Sequence, residues 1–388
     1  MSIGVFYTYA SCIDCYTRRG FLMLIRLKRV FSGPQTADKQ DRNPRFFMEK
    51  LLSIIIPCYN VENFILSCFE HLKKIPLQPN EYEIICYNDC STDNTLNVIE
   101  EATKVMPNIR VLQGKTNIGP GGGRNVALKN ASGKYVWFVD ADDIILPEIV
   151  SAMLGLIKND SPDVIPFNYK EIDASDNVTA EPIVFQDSIG MNGLDFVEDV
   201  FQEGIIYHMG YPWRFLARRE YLIQNDLFFP ENIRYGEDTV WMPQILLLAS
   251  KITSTSTFGY MYRHHNQSTC GMFDKSYPGR TIYERCFVAS ELLISFANNL
   301  EATIQDERIN KYVQAFRKTA SHNYLGQLPI YLSRASIKQR HVFFKYLKEH
   351  KFNKIIVPYI PFLSRLIIFP IVGRLLAEGL AFVYKLKH

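Results

Sequence analysis

The chain has 388 residues, of which 47% are apolar and 21% are charged, and its formal net charge is +3 at neutral pH. This apolar content is enough to bury the core of one large domain or of two, so a globular protein is expected. Its eight cysteines lack the dense, regular spacing of a disulfide-stapled secreted domain, which excludes that class and favours a reducing compartment.

The charge is distributed unevenly along the chain. Residues 1–50 contain nine basic and four acidic side chains, residues 334–388 contain eleven and two, and the segment between them carries a net charge of −11. A basic end that is also apolar suits an anionic membrane surface better than a nucleic acid, so no nucleic-acid partner is predicted. Residues 1–47 lack the order of a signal peptide and are interpreted as a leader or a disordered extension.

From residue 51 short β-branched runs alternate with longer amphipathic stretches, a pattern typical of a parallel sheet with crossover helices. The predicted strands are Ser53–Ile56, Glu83–Tyr87, Ile109–Leu112, Tyr135–Val139 and Asp163–Phe167. The predicted helices are Glu62–Lys74, Asp93–Val105, Gly121–Asn130 and Pro147–Lys158. After residue 180 the pattern is less regular, and the predicted elements are a strand over Trp213–Leu216, a helix over Glu237–Ser250 and a strand over Tyr260–Arg263. The sequence thus predicts an α/β fold with a mostly parallel central sheet flanked by helices.

Helical patterns dominate residues 280–350, which predicts a mainly α-helical C-terminal extension. The apolar tail, residues 352–388, is interrupted by Arg365 and Arg374, so its uncharged runs fall short of the roughly 18 residues that a spanning helix needs. We therefore predict an amphipathic segment that lies on a bilayer, with a packed helix pair as the alternative.

Polar residues follow three of the predicted strands, where open α/β sheets bind their ligands. These clusters are Pro57–Asn60, Asn88–Thr92 and Asp140–Asp143. Asp140, Asp142 and Asp143 repel one another unless a cation or a proton intervenes, and Mg²⁺ or Mn²⁺ favours such oxygen ligands. The alternative is that Asp143 caps the next helix and Asp140 closes a turn.

A glycine-rich stretch, Asn117–Asn125, precedes a predicted helix and contains Arg124. It allows close approach of the backbone to a ligand, but its spacing and its place after the third strand do not fit a dinucleotide fingerprint. A flexible turn is the alternative.

Four motifs in this order resemble the nucleotide-binding half of family 2 glycosyltransferases with the GT-A (Rossmann-like) fold. They are Ser53–Asn60, Tyr87–Thr95, Asn117–Asn125 and Val139–Asp143. Weaker similarity continues through Trp213, Tyr235–Asp238 and Tyr260–Arg263, so the resemblance covers about residues 51–270.

The resemblance implies roles on the donor side. Pro57 and Tyr59 would border the nucleobase, and Asp89 would hydrogen-bond it, although Asn88 stands where the family usually has a first aspartate. Gly119 lies in the glycine-rich motif, and Arg124 would order this edge by contacting Asp140 or the donor, or form a structural ion pair.

The remaining implied roles concern ribose, metal, diphosphate and acceptor. Asp142 and Asp143 would meet the ribose and the Mg²⁺ or Mn²⁺ ion, and the sequence leaves open which carboxylate takes which partner. Asp140 and Asp142 would also line the donor site. Arg263 would contact the diphosphate from a closing loop. Asp238 matches the catalytic base, although acids at a helix start also complement the helix dipole without any catalytic role.

These observations predict an inverting, metal-dependent transfer of one sugar from a nucleotide-diphosphate sugar, a uridine one, to a lipid-linked or surface polysaccharide acceptor. The chain lacks the Gln-x-x-Arg-Trp motif of processive synthases, which favours single addition.

The predicted regions are the leader at 1–47, the GT-A domain at 48–275, the helical extension at 276–351 and the membrane-associating tail at 352–388. The GT-A domain is divided into a nucleotide-binding half, 48–145, and an acceptor half, 146–275. The expected location is cytoplasmic, on the inner face of the membrane. The alternatives are a sugar nucleotidyltransferase and a membrane-associated binding module without turnover.

Overall fold

The computed structural model describes residues 50–200, 211–231, 233, 236–265 and 288–320. The chain divides into two compact units, one with Met1–Asn232 and Trp241–Ser268 and the other with Ile233–Val240 and Thr269–His388. The predicted leader, 1–47, and the predicted tail, 352–388, lie outside the described residues.

The first unit is built from strands with connecting helices. Its strands are β1 (Leu52–Cys58), β2 (Tyr82–Asn88), β3 (Ile109–Gln113), β4 (Tyr135–Phe138), β5 (Ile144–Ile145), β6 (Val164–Pro166), β7 (Asn168–Ile172), β8 (Val178–Ala180), β9 (Ser188–Met191), β10 (Phe215–Arg218), β11 (Ile252–Ser254) and β12 (Phe258–Arg263). Its helices are α1 (Ile65–Leu72), α2 (Thr95–Thr103), α3 (Gly119–Asn130), α4 (Glu148–Asp160), α5 (Gly193–Val200) and α6 (Arg219–Gln224). Helix α7 (Glu237–Leu247) begins in residues assigned to the second unit.

The larger sheet has the strand order β3-β2-β1-β4-β10-β6-β11-β9. Strand β1 pairs in parallel with β2 and β4, and β2 pairs in parallel with β3. Strands β1, β2 and β4 are rich in apolar residues and are buried almost throughout, as expected for strands covered on both faces. The predicted parallel core is confirmed.

Two features of the sheets were not predicted. Strand β10 inserts antiparallel between β4 and β6, after a 3₁₀ turn at Pro212–Arg214 that occupies the start of the predicted strand. A second sheet, in the order β5-β12-β7-β8, pairs β12 antiparallel with β5 and in parallel with β7. Because β5 begins directly after Asp143, this second sheet brings the end of β12 beside the aspartate cluster.

A buried carboxylate ties the strands together at their amino ends. Glu83 Oε1 accepts hydrogen bonds from Ser53 Oγ at 2.7 Å and from the Ser132 backbone N–H at 2.6 Å, while Arg110 Nη1 donates to Oε2 at 2.9 Å. Burial alone would raise the pKa of Glu83, but the hydrogen bonds from Ser132, Ser53 and Arg110 outweigh burial and hold the pKa below its ordinary value.

The second unit is helical where it is described. Helix α8 (Ala289–Thr303) is followed by a helical stretch over residues 309–320. Phe296 and Phe316 pack with ring centroids 5.6 Å apart, and Arg317 Nη2 donates to Glu301 Oε2 at 2.6 Å. The expected helical character of the C-terminal region is confirmed for these residues. Among the residues with described structure, no helix combines the length and apolarity needed to cross a bilayer.

Candidate functional site

The carboxyl ends of β1, β2 and β4 form one edge, where the three predicted polar clusters meet. Cys58 pairs with Asn88 in the sheet register, and the Asp89 N–H donates to the Cys58 carbonyl at 2.9 Å. The following loops are tied together, because the Thr92 N–H donates to Asn60 Oδ1 at 2.8 Å. The parallel pairing of β1 with β4 puts the third cluster, Asp140–Asp143, at the same edge of the sheet.

Asp89 anchors the glycine-rich motif to the end of β2. One carboxylate oxygen accepts the Ile118 N–H at 2.7 Å, and the other accepts the Gly119 N–H at 2.8 Å. Its side chain is buried at the start of α3, where backbone N–H groups without a partner inside the helix favour a negative charge. Tyr59, at the end of β1, is 49% exposed, and Pro57 is partly buried. The nucleobase contacts of Asp89, Pro57 and Tyr59 stay predictions.

The glycines of this motif begin a helix and do not form a flexible turn. Gly119 has φ +82°, in the left-handed region that glycine adopts without strain, and α3 starts there, two residues before the predicted start. A Cβ on Gly123 would lie 2.7 Å from the Tyr87 ring. Close packing of α3 against β2 therefore requires glycine at 123.

Asp140 is paired with Arg124. Arg124 Nη2 donates to Asp140 Oδ1 at 2.6 Å, and the guanidinium lies 5.3 Å from the centre of the Phe229 ring. Burial, opposed by Arg124 and aided by the charge of Asp142, raises the pKa of Asp140. The structure thus shows the ion pair, and the donor contacts of both residues stay predictions.

Asp143 faces the second sheet. Its Oδ1 accepts the Arg263 backbone N–H at 2.8 Å, and its Oδ2 accepts the Tyr260 hydroxyl at 2.8 Å. Burial, with the charges of Asp142 and Asp140, raises the pKa of Asp143 well above its ordinary range. Because both oxygens already hold protein donors, this geometry suits a structural role better than the predicted metal role, which stays untested.

Stacked aromatic side chains support Tyr260. Trp213 is buried and lies parallel to the Tyr260 ring at 4.5 Å between centroids, with 6° between the planes. Trp137 Nε1 donates to the Trp213 carbonyl at 2.9 Å. Trp213 therefore packs beneath the site and fixes the hydroxyl that holds Asp143.

Asp142 pairs with a histidine that the sequence analysis did not select. His265 Nε2 lies 2.9 Å from Asp142 Oδ2, and the His265 ring packs against Phe64 at 4.5 Å between centroids. His264 faces elsewhere, with Nε2 2.9 Å from Glu171 Oε2. Alternation along an extended chain puts residues 263 and 265 on one face, and this signal would have selected His265 together with Arg263.

The Asp142–His265 pair fits a divalent cation. A carboxylate oxygen and an imidazole nitrogen at this separation suit Mn²⁺ better than Mg²⁺, whose protein ligands are almost all oxygens. Within the described part of the chain, no group of three or more His, Cys, Asp or Glu side chains converges on one point.

Asp238 lies in the first turn of α7, in residues assigned to the second unit. Its Oδ1 accepts the Thr239 N–H at 2.8 Å. An acid in the first turn of a helix also complements the helix dipole without any catalytic role, so the catalytic role of Asp238 stays a prediction.

Residues 53–225 match the family described as Glycosyl transferase family 2. The chain is 32% identical over 221 residues to the poly(ribitol-phosphate) beta-N-acetylglucosaminyltransferase TarS of Staphylococcus aureus, which covers 54% of this chain and 35% of TarS. It is 30% identical over 222 residues to the poly(ribitol-phosphate) beta-glucosyltransferase of Bacillus spizizenii, which covers 54% of this chain and 32% of that protein. The chain therefore spans about a third of the length of these relatives.

A solved structure of S. aureus TarS 1–349 in complex with UDP-GlcNAc superposes with a TM-score of 0.61 at 22% identity, covering 87% of this chain and 92% of that one. At this identity the likeness shows the fold, and the predicted GT-A fold is confirmed.

Proposed function

Residues 53–225 match glycosyl transferase family 2, and we propose that the chain is an inverting glycosyltransferase that moves one sugar from a UDP-sugar to an acceptor hydroxyl. The observation that carries the proposal is the Asp142–His265 pair, 2.9 Å apart, beside the ion-paired Asp140 at the carboxyl edge of the sheet. A ligand-binding edge of this kind is what donor binding in an α/β sheet requires.

The relatives support the choice of donor and acceptor class. TarS was solved with UDP-GlcNAc and with UDP, and two of the relatives are named for poly(ribitol-phosphate) acceptors. We assign to this chain a UDP-sugar donor and a lipid-linked or surface polysaccharide acceptor, reached from the inner face of the membrane through the tail, 352–388. Deletion of the tail should release the protein from anionic vesicles, and unchanged vesicle binding would contradict membrane attachment through it.

In the proposed mechanism Asp142 and His265 would hold Mn²⁺ or Mg²⁺. A divalent ion bound there supplies charge neutralisation for the leaving diphosphate. Arg124 holds Asp140 in place. Asp238 takes the proton from the acceptor hydroxyl while the hydroxyl oxygen bonds to the anomeric carbon of the donor sugar. The bond between that carbon and the diphosphate breaks on the opposite face.

Thermal stabilisation by a panel of nucleotide diphosphates with Mn²⁺ tests the donor assignment, because a ligand of the folded state raises the melting temperature. UDP should stabilise the chain more than GDP or CDP does. Release of pyrophosphate from a nucleotide triphosphate and a sugar phosphate would instead indicate a nucleotidyltransferase.

Asp238→Asn tests the proposed base. This variant should lose transfer but keep UDP binding. Asp195→Asn, in the first turn of α5, removes the same kind of helix-start charge and should keep transfer. Transfer by Asp238→Asn at the wild-type rate would exclude Asp238 as the base, and a wild-type chain that binds UDP without transfer would be a binding module.

A further inference from the structure

The turn between β7 and β8 presents Asp176 in a fixed position. Asp173 Oδ1 accepts the Ser175 N–H at 2.8 Å and the Asn177 N–H at 3.0 Å. Asp176 has φ +66°, in the left-handed region that aspartate and asparagine tolerate better than most residues. The turn is therefore preorganised by its own hydrogen bonds.

The Asp176 carboxylate forms an ion pair with the guanidinium of Arg263. Arg263 is 8% exposed, and its Nε donates to the Asp142 carbonyl at 2.9 Å. Its backbone N–H donates to Asp143 Oδ1 at 2.8 Å. Arg263 therefore connects the turn between β7 and β8 with the turn that carries the aspartate cluster.

We propose that Asp176 is a positioning residue of the donor site, acting through Arg263 on the diphosphate of the bound nucleotide. The inference rests on the proposed function. A guanidinium presents five N–H donors in a rigid fork, so one side chain can bind Asp176, bind the Asp142 carbonyl and still contact an anion. The ion pair fixes the orientation of that fork before the nucleotide arrives.

The sign of the effect separates this role from simple electrostatics. Asp176 is a negative charge near a site for an anion, so its removal by charge alone would strengthen nucleotide binding. If Asp176 positions Arg263, its removal weakens binding. Asn tolerates the left-handed backbone as Asp does, so Asp176→Asn keeps the turn.

The experiment is calorimetric titration of the full chain with UDP and with UMP in the presence of Mn²⁺. In Asp176→Asn the Kd for UDP should rise about tenfold, as when a supporting partner of a site residue is removed. The Kd for UMP should not change, because UMP lacks the second phosphate. Damage to the fold would weaken the binding of both UDP and UMP, and urea unfolding of each variant measures such damage directly.

Glu181→Gln is the matched control. Glu181 lies just after β8, pairs with Lys170 at 2.6 Å and is 48% exposed, against 52% for Asp176. Its neutralisation reports the general charge effect and should leave UDP binding unchanged or slightly tighter. In an Arg263→Gln background, Asp176→Asn should add no further loss of UDP affinity, because the two residues act as one unit.

Three results would overturn the inference. Asp176→Asn could bind UDP as tightly as wild type or more tightly, or it could lose affinity for UMP as much as for UDP. The third result is that the losses of UDP affinity add in the double variant. A wild-type chain that does not bind UDP would overturn the proposed donor and the inference with it. Wild-type binding with an unaffected Asp176→Asn would overturn the inference alone.

Discussion

Replacement of Asp89 by asparagine separates the structural role of this residue from base recognition. Each carboxylate oxygen accepts one backbone N–H at the start of α3, from Ile118 and from Gly119. An asparagine keeps one acceptor and turns an amino group toward the other N–H. The loss of a hydrogen bond to a charged group and of a negative charge at a helix start should together lower the free energy of unfolding by about 2–4 kcal/mol. Urea unfolding measures this change.

The same variant tests the contact of Asp89 with the base. A carboxylate accepts the ring N–H of uracil, which cytosine lacks, so wild type should bind UDP more tightly than CDP, and Asp89→Asn should lose most of that preference. Asp93→Asn is the control, because Asp93 Oδ1 accepts the Thr95 N–H at 3.0 Å at the start of α2. Asp93→Asn should lower the free energy of unfolding by about 1 kcal/mol and keep the preference for UDP over CDP.

Two results would refute this reasoning. If Asp89→Asn lowered the free energy of unfolding by less than about 0.5 kcal/mol, the start of α3 would not depend on the carboxylate, because surface substitutions without a structural role fall in that range. An unchanged ratio of UDP to CDP affinity would remove Asp89 from base recognition and leave it as a purely structural residue.

Other substitutions and metal removal test further parts of the structure. Glu83→Gln should lower the free energy of unfolding by about 2 kcal/mol at pH 7, because the amide nitrogen that replaces one carboxylate oxygen cannot accept the hydrogen bond from Arg110. Since the pKa of Glu83 is lowered in the folded state, this cost should be complete above about pH 5 and shrink as the pH falls below about 4, which urea unfolding at both pH values checks. His265→Gln should weaken Mn²⁺ binding about tenfold or more in the presence of UDP, measured by Mn²⁺ titration, while His264→Gln should not. Gly123→Ala should lower the unfolding free energy by about 1–3 kcal/mol, because its Cβ would meet an aromatic ring, whereas Gly155→Ala, in α4 with nothing within 4 Å of the new Cβ, should be neutral or stabilising. Chelation with EDTA should leave the urea midpoint of the nucleotide-free chain unchanged and abolish UDP binding.

The parallel core was predictable because its strands carry a strong local signal. The runs at β1 and β2 are apolar almost throughout, so their burial on both faces followed from the residues. Strand β5 has only two residues, Ile144 and Ile145, and no periodicity can identify so short a strand. The position of β10, antiparallel to β4, depends on long-range pairing that local pattern does not encode.

The residues of the candidate site were predictable to a similar degree. Asp89, Arg124 and Asp140 follow predicted strands or begin a predicted helix, so their convergence followed from topology. His265 was missed because its position depends on β5 pairing with β12, which brings residues more than a hundred positions apart in the sequence into contact. The contact between Asp176 and Arg263 depends on the same second sheet and carries no sequence motif.

The structure adds a second reason why the aspartate cluster is tolerated, beside the cation or proton inferred from sequence. Clustered carboxylates predict a shared cation, yet each aspartate has its own protein partner: Arg124 for Asp140, His265 for Asp142, and a hydroxyl with a backbone N–H for Asp143. The fold can therefore hold three carboxylates within four residues before any metal binds. Of the three carboxylates, that of Asp142 pairs with a side chain that is itself a metal ligand, the imidazole of His265. Under the proposed function a divalent ion would enter at Asp142 together with the diphosphate, so that it would contribute to donor binding and not to folding.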